Sequence, residues 1–396
     1  MKVLLINSVC GSGSTGRIVS EIWKLLKAQG HEVKVAYGIG QASLVSNEDT
    51  YRINNKMGYY LHNALARITD RAGFYSIYHT IKLVRYIKAY KPDVVHLHNL
   101  HGFYINISIL FRFLASINVK VIWTLHDCWG ITGHCAHYSY EGCYKWQNEC
   151  HDCSLKKSYP QSLLLDQSRR NFNDKLDLYS KIKDLTITTP SEWLANVVRS
   201  SVLLRGRNVY AIPNGIDLDV FKPTPSNLRK KYGVNESDTL LLGVSSVWYF
   251  KKGYEDFKKL ASKLPSNYKL MMVGLNKDQI QEMPNNVIGV ERTHDAIELA
   301  AIYTMADVFL NLSYEETMGL VTAEALACGT PAIVYDKTAV PEVVDEDSGV
   351  VVEAGMINEI LSNIERVKLM ACEDCVNRAR AYEKQNQYSK VLDLYK

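Results

Sequence analysis

The chain repeats one pattern, a short apolar run followed by a helical stretch, along most of its 396 residues. In the first half the apolar runs are KVLLIN, EVKVAYG, DVVHLH, KVIWTLH and LTITTPS. Most of them lack strict alternation of polar and apolar residues and are bounded by polar residues or glycine. This is typical of parallel strands that are buried on both faces. The first half therefore predicts a doubly wound α/β domain.

The same pattern starts again in the second half with LLLGVSS, KLMMVGL, NVIGVE, DVFLNLS and PAIVYD, separated by helical stretches such as Tyr254–Leu264 and Val321–Cys328. Between the halves, over NVYAIPNGIDLDVFKPTPSNLRKKYG, the chain becomes rich in Pro, Gly and Asn, which indicates the linker and a domain boundary near Pro213 to Pro225. We predict Rossmann-like domains over residues 1–212 and 213–380, and a final helix over 381–396 that returns to the first domain. Ligands of such sheets bind beyond the carboxyl ends of the strands, so we expect a shared cleft.

Composition and charge exclude several classes of protein. A formal net charge of +4 is too small to indicate a nucleic-acid partner. No run of about eighteen apolar residues occurs, so no transmembrane helix is predicted. The N-terminal run MKVLLI ends at Asn7 and turns glycine-rich, unlike a secretory signal, which predicts a cytoplasmic protein whose membrane contact is peripheral.

Residues 56–91 contain seven Lys or Arg residues against the single Asp70, interleaved with six tyrosines. Two interpretations stay open. The segment forms a pair of solvated helices, or it forms a basic, aromatic surface that rests on anionic lipid headgroups at the inner face of the membrane.

A glycine-rich segment, NSVCGSGSTGR, follows the first apolar run and partly matches two nucleotide-binding motifs. A phosphate loop needs Lys and then Ser or Thr where this chain has Arg17 and Ile18, which argues against an NTPase. A dinucleotide fold expects an acidic residue at the end of the next strand, and EVKVAYG offers none there. An NAD-dependent oxidoreductase is therefore a weak alternative.

The segment SYEETMGLVTAEALACGTP carries the densest chemical signal. Glu316 and Glu324 lie eight residues apart, and a helix is expected to begin near Leu320. The amides of Met318, Gly319, Leu320 and Val321 would then lie at a helix N-terminus, where a phosphate is stabilised. Glu324 would reach a ribose and Glu316 a sugar hydroxyl, although a lone pair of glutamates at this spacing is usually two surface carboxylates.

ETMGLVTAEALACGTP, followed by AVPEVV, resembles the E-x7-E segment of retaining GT-B glycosyltransferases, in particular glycosyltransferase family 4. DVVHLHNLHG, WTLHD, SEWLANVV, IPNGIDLDVFKP, KKGYEDF and LAAIYTMADVFLNLS agree in order and spacing, so the resemblance covers almost the entire chain. It implies two Rossmann-like domains, the first on the acceptor side, that bind a nucleotide-sugar in their cleft. It also implies sugar transfer with retention of anomeric configuration.

The resemblance assigns roles to individual residues. Glu316 would contact the transferred sugar, Glu324 the ribose, Lys252 the diphosphate and His126 the donor sugar. Glu316, His126 and Lys252 are thus the candidate catalytic residues. Many family members have Arg where this chain has Ser246, so Arg17, Arg292 or neutral donors would replace that cation. The remaining donor-binding candidates, which act through the backbone or near the nucleobase, are Gly13, Ser14, Thr15, Gly16, Val290 and Arg292.

The expected reaction needs no catalytic cofactor. Nucleoside diphosphate is a good leaving group, so Lys252 and the helix-terminal amides can supply much of the rate acceleration. No pair of carboxylates spaced for double displacement is evident, which favours front-face substitution. We expect a UDP- or GDP-sugar donor and a glycan acceptor, lipid-linked, in bacterial surface-polysaccharide biosynthesis. A nucleotide-sugar epimerase of the same fold is the alternative; a phosphorylase would need a pyridoxal-phosphate lysine that has no clear counterpart here.

Two groups of metal-ligating residue types remain. His96, His98 and His101 are closely spaced, but a strand end that faces the ligand explains them better than a metal. Within an insertion at about 128–157, four cysteines end in a C-x-x-C motif, and they are expected to bind a structural zinc ion, with His137 or His151 as substitutes; independent thiols and disulfides are the alternatives. The four are Cys135, Cys143, Cys150 and Cys153.

Overall fold

All strands of the computed structural model, which describes residues 1–396, lie in two sheets in which every neighbouring pair is parallel. The chain divides into two compact units. One unit contains Met1–Pro213 together with Gln387–Lys396, and the other contains Asn214–Asn386.

The first unit has a seven-stranded sheet of order β3-β2-β1-β4-β5-β6-β7. Its strands are β1 Lys2–Asn7, β2 Glu32–Tyr37, β3 Thr50–Arg52, β4 Val94–Leu97, β5 Lys120–Thr124, β6 Leu185–Thr189 and β7 Asn208–Ala211. Its helices before the boundary are α1 Gly13–Ala28, α2 Lys56–Thr69, α3 Ile77–Tyr90, α4 Ile107–Ala115, α5 Ser168–Ser180 and α6 Glu192–Ser200. The central strands are buried, as their apolar runs predict: Val3, Leu4, Leu5 and Ile6 have no exposed surface.

The second unit has a six-stranded sheet of order β10-β9-β8-β11-β12-β13. The strands are β8 Thr239–Val244, β9 Tyr268–Val273, β10 Val287–Val290, β11 Val308–Asn311, β12 Ala332–Tyr335 and β13 Gly349–Val352. The helices are α7 Leu228–Lys231, α8 Tyr254–Lys263, α9 Lys277–Glu282, α10 Ala296–Met305, α11 Leu320–Ala327, α12 Ile357–Lys368 and α13 Cys372–Ala379. Two apolar clusters fill the layers on either side of this sheet.

The last helix, α14 Lys384–Asp393, carries the chain from the second unit into the first. Tyr388, Val391, Leu392 and Tyr395 pack in the same apolar cluster as β1 and α1. No helix of the structure has the length and apolar character that crossing a membrane requires.

Each sheet reverses its strand order once beside its first strand. In the first unit β1 lies between β2 and β4, and in the second β8 lies between β9 and β11. The loops that leave two such neighbouring strands diverge to opposite faces of the sheet and open a crevice, where ligands of doubly wound sheets bind. These two switch points locate the candidate site residues described below.

The ten strands expected from the sequence are all present, but three further strands were missed. β3 has only three residues, and β13 is a run of glycine and valines near the C-terminal helices. β7 lies inside the segment that its Pro, Gly and Asn content assigned to the interdomain linker. It is an edge strand with alternating exposure, so it lacks the continuous apolar run of a central strand.

Candidate functional site

Two lysine–glutamate pairs join the loops that follow β8 and β11. Lys252 Nζ contacts Glu316 Oε1, and these side chains are 22% and 19% exposed. Next to them Lys251 Nζ lies 2.7 Å from Glu315 Oε2, and these side chains are only 9% and 2% exposed. The buried pair fixes the two loops against each other, whereas the more open pair presents a cation and a carboxylate side by side.

The backbone brings the loops close enough for these pairs to form. The amide of Tyr314 donates to the Lys251 carbonyl over 2.8 Å. Gly253 has a φ of 72°, and a Cβ at this position would lie 2.3 Å from the Leu312 carbonyl oxygen. Only glycine can therefore occupy position 253 without pushing the lysine loop away from β11.

Helix α11 begins at Leu320, as the sequence predicts, with Gly319 as its N-cap. The first two amides, those of Leu320 and Val321, have no intrahelical acceptor, and no acidic residue lies in the first turn, so this end favours an anion. Glu324 lies one turn further along, where its carboxylate accepts a 3.0 Å hydrogen bond from Tyr303 Oη. Met318 is buried and its Sδ accepts from the Asn214 amide at 3.2 Å, so its side chain faces the interior.

The remaining donor-binding candidates of this unit lie at the ends of β8 and β10. Ser246 is exposed in the loop after β8. Val290 ends the edge strand β10, which β9 separates from β8, and the exposed Arg292 lies in the loop after β10. Lys251 is a second cation beside Lys252, but Glu315 already pairs with it. The structure thus leaves Lys252 as the open cation of this loop.

In the first unit the glycine-rich loop connects β1 to α1. Residues Gly13, Ser14 and Thr15 form the first turn of this sixteen-residue helix, which has no acidic residue there. Gly13 and Ser14 are exposed and Thr15 is partly exposed, so their amides are open to an anion. Gly16 is buried, and its carbonyl accepts from the Gly11 amide at 3.1 Å, so it closes the loop rather than facing solvent.

Asn7 holds this loop in place and was not recognised from the sequence. Its buried side chain donates to the Val9 carbonyl over 2.9 Å and accepts from the Asn99 amide over 3.2 Å. It therefore joins the loops after β1 and β4, the two strands at the switch point. The sequence signal that could have identified Asn7 is a polar residue at the end of an otherwise apolar run.

His126 lies two residues after β5 and contacts His98 at the end of β4. His98 Nδ1 and His126 Nε2 are 3.0 Å apart, and His98 Nε2 is buried without a partner. An unpaired buried N–H is rarer than an unpaired buried acceptor, which favours a proton on His98 Nδ1. His98 then donates to His126 Nε2, and a neutral His126 carries its proton on Nδ1.

Burial keeps these imidazoles neutral. It lowers the pKa of His126 to about 4 and that of His96 to about 3. His96 bonds Tyr395 Oη at 2.6 Å and Thr124 Oγ1 at 2.7 Å, so it anchors the C-terminal residues beneath the cluster.

Asp127, next to His126, forms a second polar group. Burial opposes its ionisation, but His101, whose Nε2 lies 2.6 Å from Oδ2, and the Trp129 amide lower its pKa to about 2. His101 Nδ1 lies 3.0 Å from Tyr159 Oη. No group of three or more His, Cys, Asp or Glu side chains in the structure has the geometry to hold a metal ion.

Comparison with known families identifies the chain. Residues 15–220, more than half of it, match the family described as Glycosyltransferase Family 4, and residues 226–386 match Glycosyl transferases group 1. The chain belongs to glycosyltransferase family 4. The expected family and enzyme class are therefore confirmed.

Individual relatives agree with this assignment. The chain is 24% identical over 367 residues to a colanic acid biosynthesis glycosyl transferase, WcaC, of Escherichia coli (strain K12), covering 88% of this chain and 86% of that protein. Sucrose-phosphate synthase from Thermosynechococcus elongatus superposes with a TM-score of 0.69 at 18% identity, covering 100% of this chain and 98% of the other. The structure of Anabaena Alr3699/HepE in complex with UDP superposes with a TM-score of 0.68 at 15% identity, covering 99% of each chain. These structures confirm the GT-B fold.

The open ion pair leads to a first prediction for this family 4 enzyme. Lys252→Ala and Glu316→Gln should each lower sugar transfer at least about a hundredfold, the scale of losing one preorganised charge contact. Lys258→Ala, on the adjacent helix α8, is the matched control and should keep normal turnover, because its ammonium lies 4.0 Å from Glu282 away from the pair. Initial rates together with circular dichroism check both points. Near-normal turnover in either site variant contradicts the assignment.

The second prediction concerns His98, which touches His126 and acts only through it. His98→Phe should lower kcat about five- to tenfold, the effect of one lost hydrogen bond. His98→Asn keeps a donor near the Nδ1 position and should recover most of the rate. Steady-state kinetics of both variants test this, and equal losses in both would show that the donor to His126 is unimportant.

Proposed function

We propose that this glycosyltransferase moves a sugar from a nucleoside-diphosphate sugar to a hydroxyl group of a glycan acceptor, with retention of anomeric configuration. The observation that carries this proposal is the open Lys252–Glu316 pair in the loops that flank the N-terminus of α11. A cation, a carboxylate and a set of free amides are the groups that a diphosphate and a sugar require.

Donor binding would exchange one ion pair for another. Lys252 is paired with Glu316 as the chain stands, and a diphosphate brings more negative charge than one carboxylate. The ammonium of Lys252 would turn to the phosphate oxygens, together with the amides of Leu320 and Val321. The Glu316 carboxylate would then be free to accept hydrogen bonds from the hydroxyls of the transferred sugar. Glu324, held by Tyr303, would accept from the ribose.

Leaving-group stabilisation accounts for most of the expected chemistry. The bond between the anomeric carbon and the phosphate oxygen breaks, and negative charge builds on the diphosphate, where Lys252 and the helix-terminal amides stabilise it. The acceptor oxygen bonds to the same face of the anomeric carbon, and its proton passes to the leaving phosphate oxygen. Glu315, the carboxylate nearest in sequence to Glu316, is buried against Lys251 and so does not supply the second carboxylate of a double displacement.

The nucleobase and the pathway are supported only by relatives. Anabaena Alr3699/HepE is described in complex with UDP, which favours UDP over GDP as the nucleotide of this chain's donor. The E. coli relative is named for colanic acid biosynthesis, which supports a role in bacterial surface-polysaccharide assembly.

The outer face of α2 supports a lipid-linked acceptor. Met57, Tyr60, Leu61 and Ile68, at helical spacing, are between 46% and 78% exposed. The exposed residues 163–165 are joined to the end of this helix, because the Leu163 amide donates to the Arg67 carbonyl over 2.6 Å. We propose that this face, with exposed Lys and Arg beside it, rests on anionic lipid.

The basic, tyrosine-rich segment is only partly a surface. Tyr90 is buried and its hydroxyl donates to the Val3 and Glu32 carbonyls, and Tyr86 stacks on Tyr51. Arg71 is paired with Asp174. The apolar side chains of α2, rather than the full set of six tyrosines, therefore form the proposed contact.

A ligand screen tests the donor proposal. UDP or a UDP-sugar should raise the melting temperature more than GDP, ADP or NAD, because only a ligand of the native state stabilises it by mass action, by about 2.7 kcal/mol at a hundred times Kd. Lys252→Ala should abolish the rise, and Lys258→Ala should keep it. Equal stabilisation of wild type and Lys252→Ala would contradict the assigned phosphate contact, and stabilisation by NAD alone would favour an oxidoreductase.

Flotation tests the membrane proposal. Wild type should float with phosphatidylglycerol–phosphatidylcholine vesicles at low salt and less with phosphatidylcholine alone, since apolar contact and charge both contribute. The double variant Leu61→Asp, Leu164→Asp should stay at the bottom of the gradient. Leu369→Asp, at an 83% exposed leucine of the second unit, is the control and should float like wild type. Failure of the wild type to float shows that the surface does not bind lipid.

A further inference from the structure

The irregular loop between β5 and α5 bonds the end of another strand through one tyrosine. Residues 132–167 contain no helix or strand apart from one short 3-10 turn, Lys145–Gln147. The four cysteines of this loop are free thiols and do not form a group that could hold a metal ion, so no zinc site is assigned to them. Tyr159 of the same loop instead bonds His101 in the loop after β4, and this contact belongs to a chain of hydrogen bonds.

Three side chains, Asp127, His101 and Tyr159, form this chain. His101 Nε2 lies 2.6 Å from Asp127 Oδ2, and His101 Nδ1 lies 3.0 Å from Tyr159 Oη. The side chains of His101 and Asp127, in the loops after β4 and β5, are only 11% and 13% exposed, whereas Tyr159 is 46% exposed. A mostly buried network therefore ends at a phenol that a ligand can reach.

The carboxylate of Asp127 sets the direction of every hydrogen bond in the chain. A carboxylate only accepts, so its contact with His101 requires the proton of a neutral ring on Nε2. Nδ1 is then an acceptor, and the Tyr159 hydroxyl donates to it. Burial raises the pKa of the Tyr159 phenol, so this proton stays in place. The lone pairs of Tyr159 Oη remain, and they would accept a hydrogen bond from a ligand hydroxyl, strengthened by the chain behind them.

The buried end of the chain is fixed by the turn after Asp127 and by helix α5. Asp127 Oδ1 accepts a hydrogen bond from the Trp129 amide over 2.8 Å. Lys175 of α5, which is 1% exposed, donates from Nζ to the carbonyls of Trp129 at 2.6 Å and Thr132 at 2.9 Å. Its ammonium also lies 3.5 Å from the centre of the Trp129 ring. The partners that orient the phenol are thus themselves held in place, as a preorganised binding contact requires.

The chain borders the same space as the candidate histidines. His98, His126, His101 and Asp127 all line one narrow cavity between the ends of β4 and β5. These are neighbouring strands of the sheet, and ligands of doubly wound sheets bind beyond such carboxyl ends. The pair of His101 and Asp127 therefore lies beside His126, and Tyr159 is the more exposed end of this group of polar side chains.

The loop continues from Tyr159 directly to the apolar face of α2. The amides of Leu163 and Leu165 donate to the carbonyls of Arg67 and Ile68 over 2.6 and 3.1 Å. The three leucines at 163–165 are between 47% and 65% exposed. Leu163 follows Tyr159 by four residues, which span at most about 14 Å. A glycan attached to a lipid at that face would therefore begin close to the Tyr159 hydroxyl.

We propose that the Tyr159 hydroxyl binds a sugar hydroxyl of the acceptor glycan, and that His101 and Asp127 are positioning residues that orient it. The contact presupposes the proposed function, in which the acceptor is a lipid-linked glycan. Tyr159 accepts a hydrogen bond from the acceptor and takes no part in breaking the donor bond. Lys252 and Glu316 belong to the other unit, so this contact can be removed while donor binding remains.

Removing the phenol hydroxyl tests the contact. Octyl glycosides of glucose, galactose and N-acetylglucosamine, kept below their micelle-forming concentrations, combine a sugar with an apolar tail and serve as probes in NMR titrations. Wild type should bind at least one of them, and Tyr159→Phe should bind it about five- to tenfold more weakly, the effect of one lost hydrogen bond. Tyr144→Phe, at a 57% exposed tyrosine of the same loop, is the control and should keep wild-type affinity. Equal affinity of wild type and Tyr159→Phe overturns the proposal, and so does failure of wild type to bind any of the probes.

A double-mutant cycle tests the positioning role of His101. His101→Leu should weaken binding of the same probe as much as Tyr159→Phe does, and the double variant should bind no more weakly than either, because both changes remove one contact. Losses that multiply would show that His101 does not act through Tyr159. If His101→Leu does not fold, the comparison of Tyr159→Phe with Tyr144→Phe still decides the contact.

UDP separates this contact from the donor site. UDP should raise the melting temperature of wild type and of Tyr159→Phe equally, because the proposed phosphate contacts lie in the other unit. A wild type that binds a glycoside but gains no stability from UDP would contradict the donor proposal alone. Loss of the UDP effect in Tyr159→Phe would contradict a role confined to the acceptor.

Discussion

The loop pairing in the second unit depends on the buried contact between Lys251 and Glu315. Removing either partner would leave a charge in a dry environment, so the loops after β8 and β11 are held together strongly once folded. The neighbouring Lys252 and Glu316 inherit their positions from it, since each directly follows a member of the buried pair. The buried pair fixes the geometry of the loops, so the proposed exchange of partners at Lys252 and Glu316 would leave the loops in place.

The first unit uses the last residues of the chain for a similar purpose. Tyr395 and His96 are 299 positions apart, yet their hydrogen bond fixes the ring against which His98 packs, with ring centres 4.2 Å apart. Thr124, which bonds His96, also bonds Thr188, so these buried hydrogen bonds continue from β5 to β6. The orientation of His126 therefore depends on how α14 packs. We expect a change at the C-terminus to alter the positions of the histidines even where it does not contact them.

Much of this architecture could be read from the sequence, and the exceptions have physical reasons. The central strands could be predicted because strands buried on both faces have continuous apolar runs. The start of α11 could be predicted because Gly319 precedes its first turn. The edge strand β7 is polar on alternate residues and resembled a linker. The family resemblance selected Lys252, but the residues alone could not show that Lys251 is buried against Glu315, because the partners of both lysines lie 64 positions away.

The irregular loop after β5 links features that otherwise look unrelated. Cys135 of this loop lies in the core of the first unit and the other three cysteines pack against that core, Tyr159 contacts His101, and residues 163–165 extend the apolar face of α2. A loop without helix or strand transmits position only if something fixes it internally. Whatever orders this loop thus also sets the distance between the apolar face of α2 and the polar groups at the ends of β4 and β5.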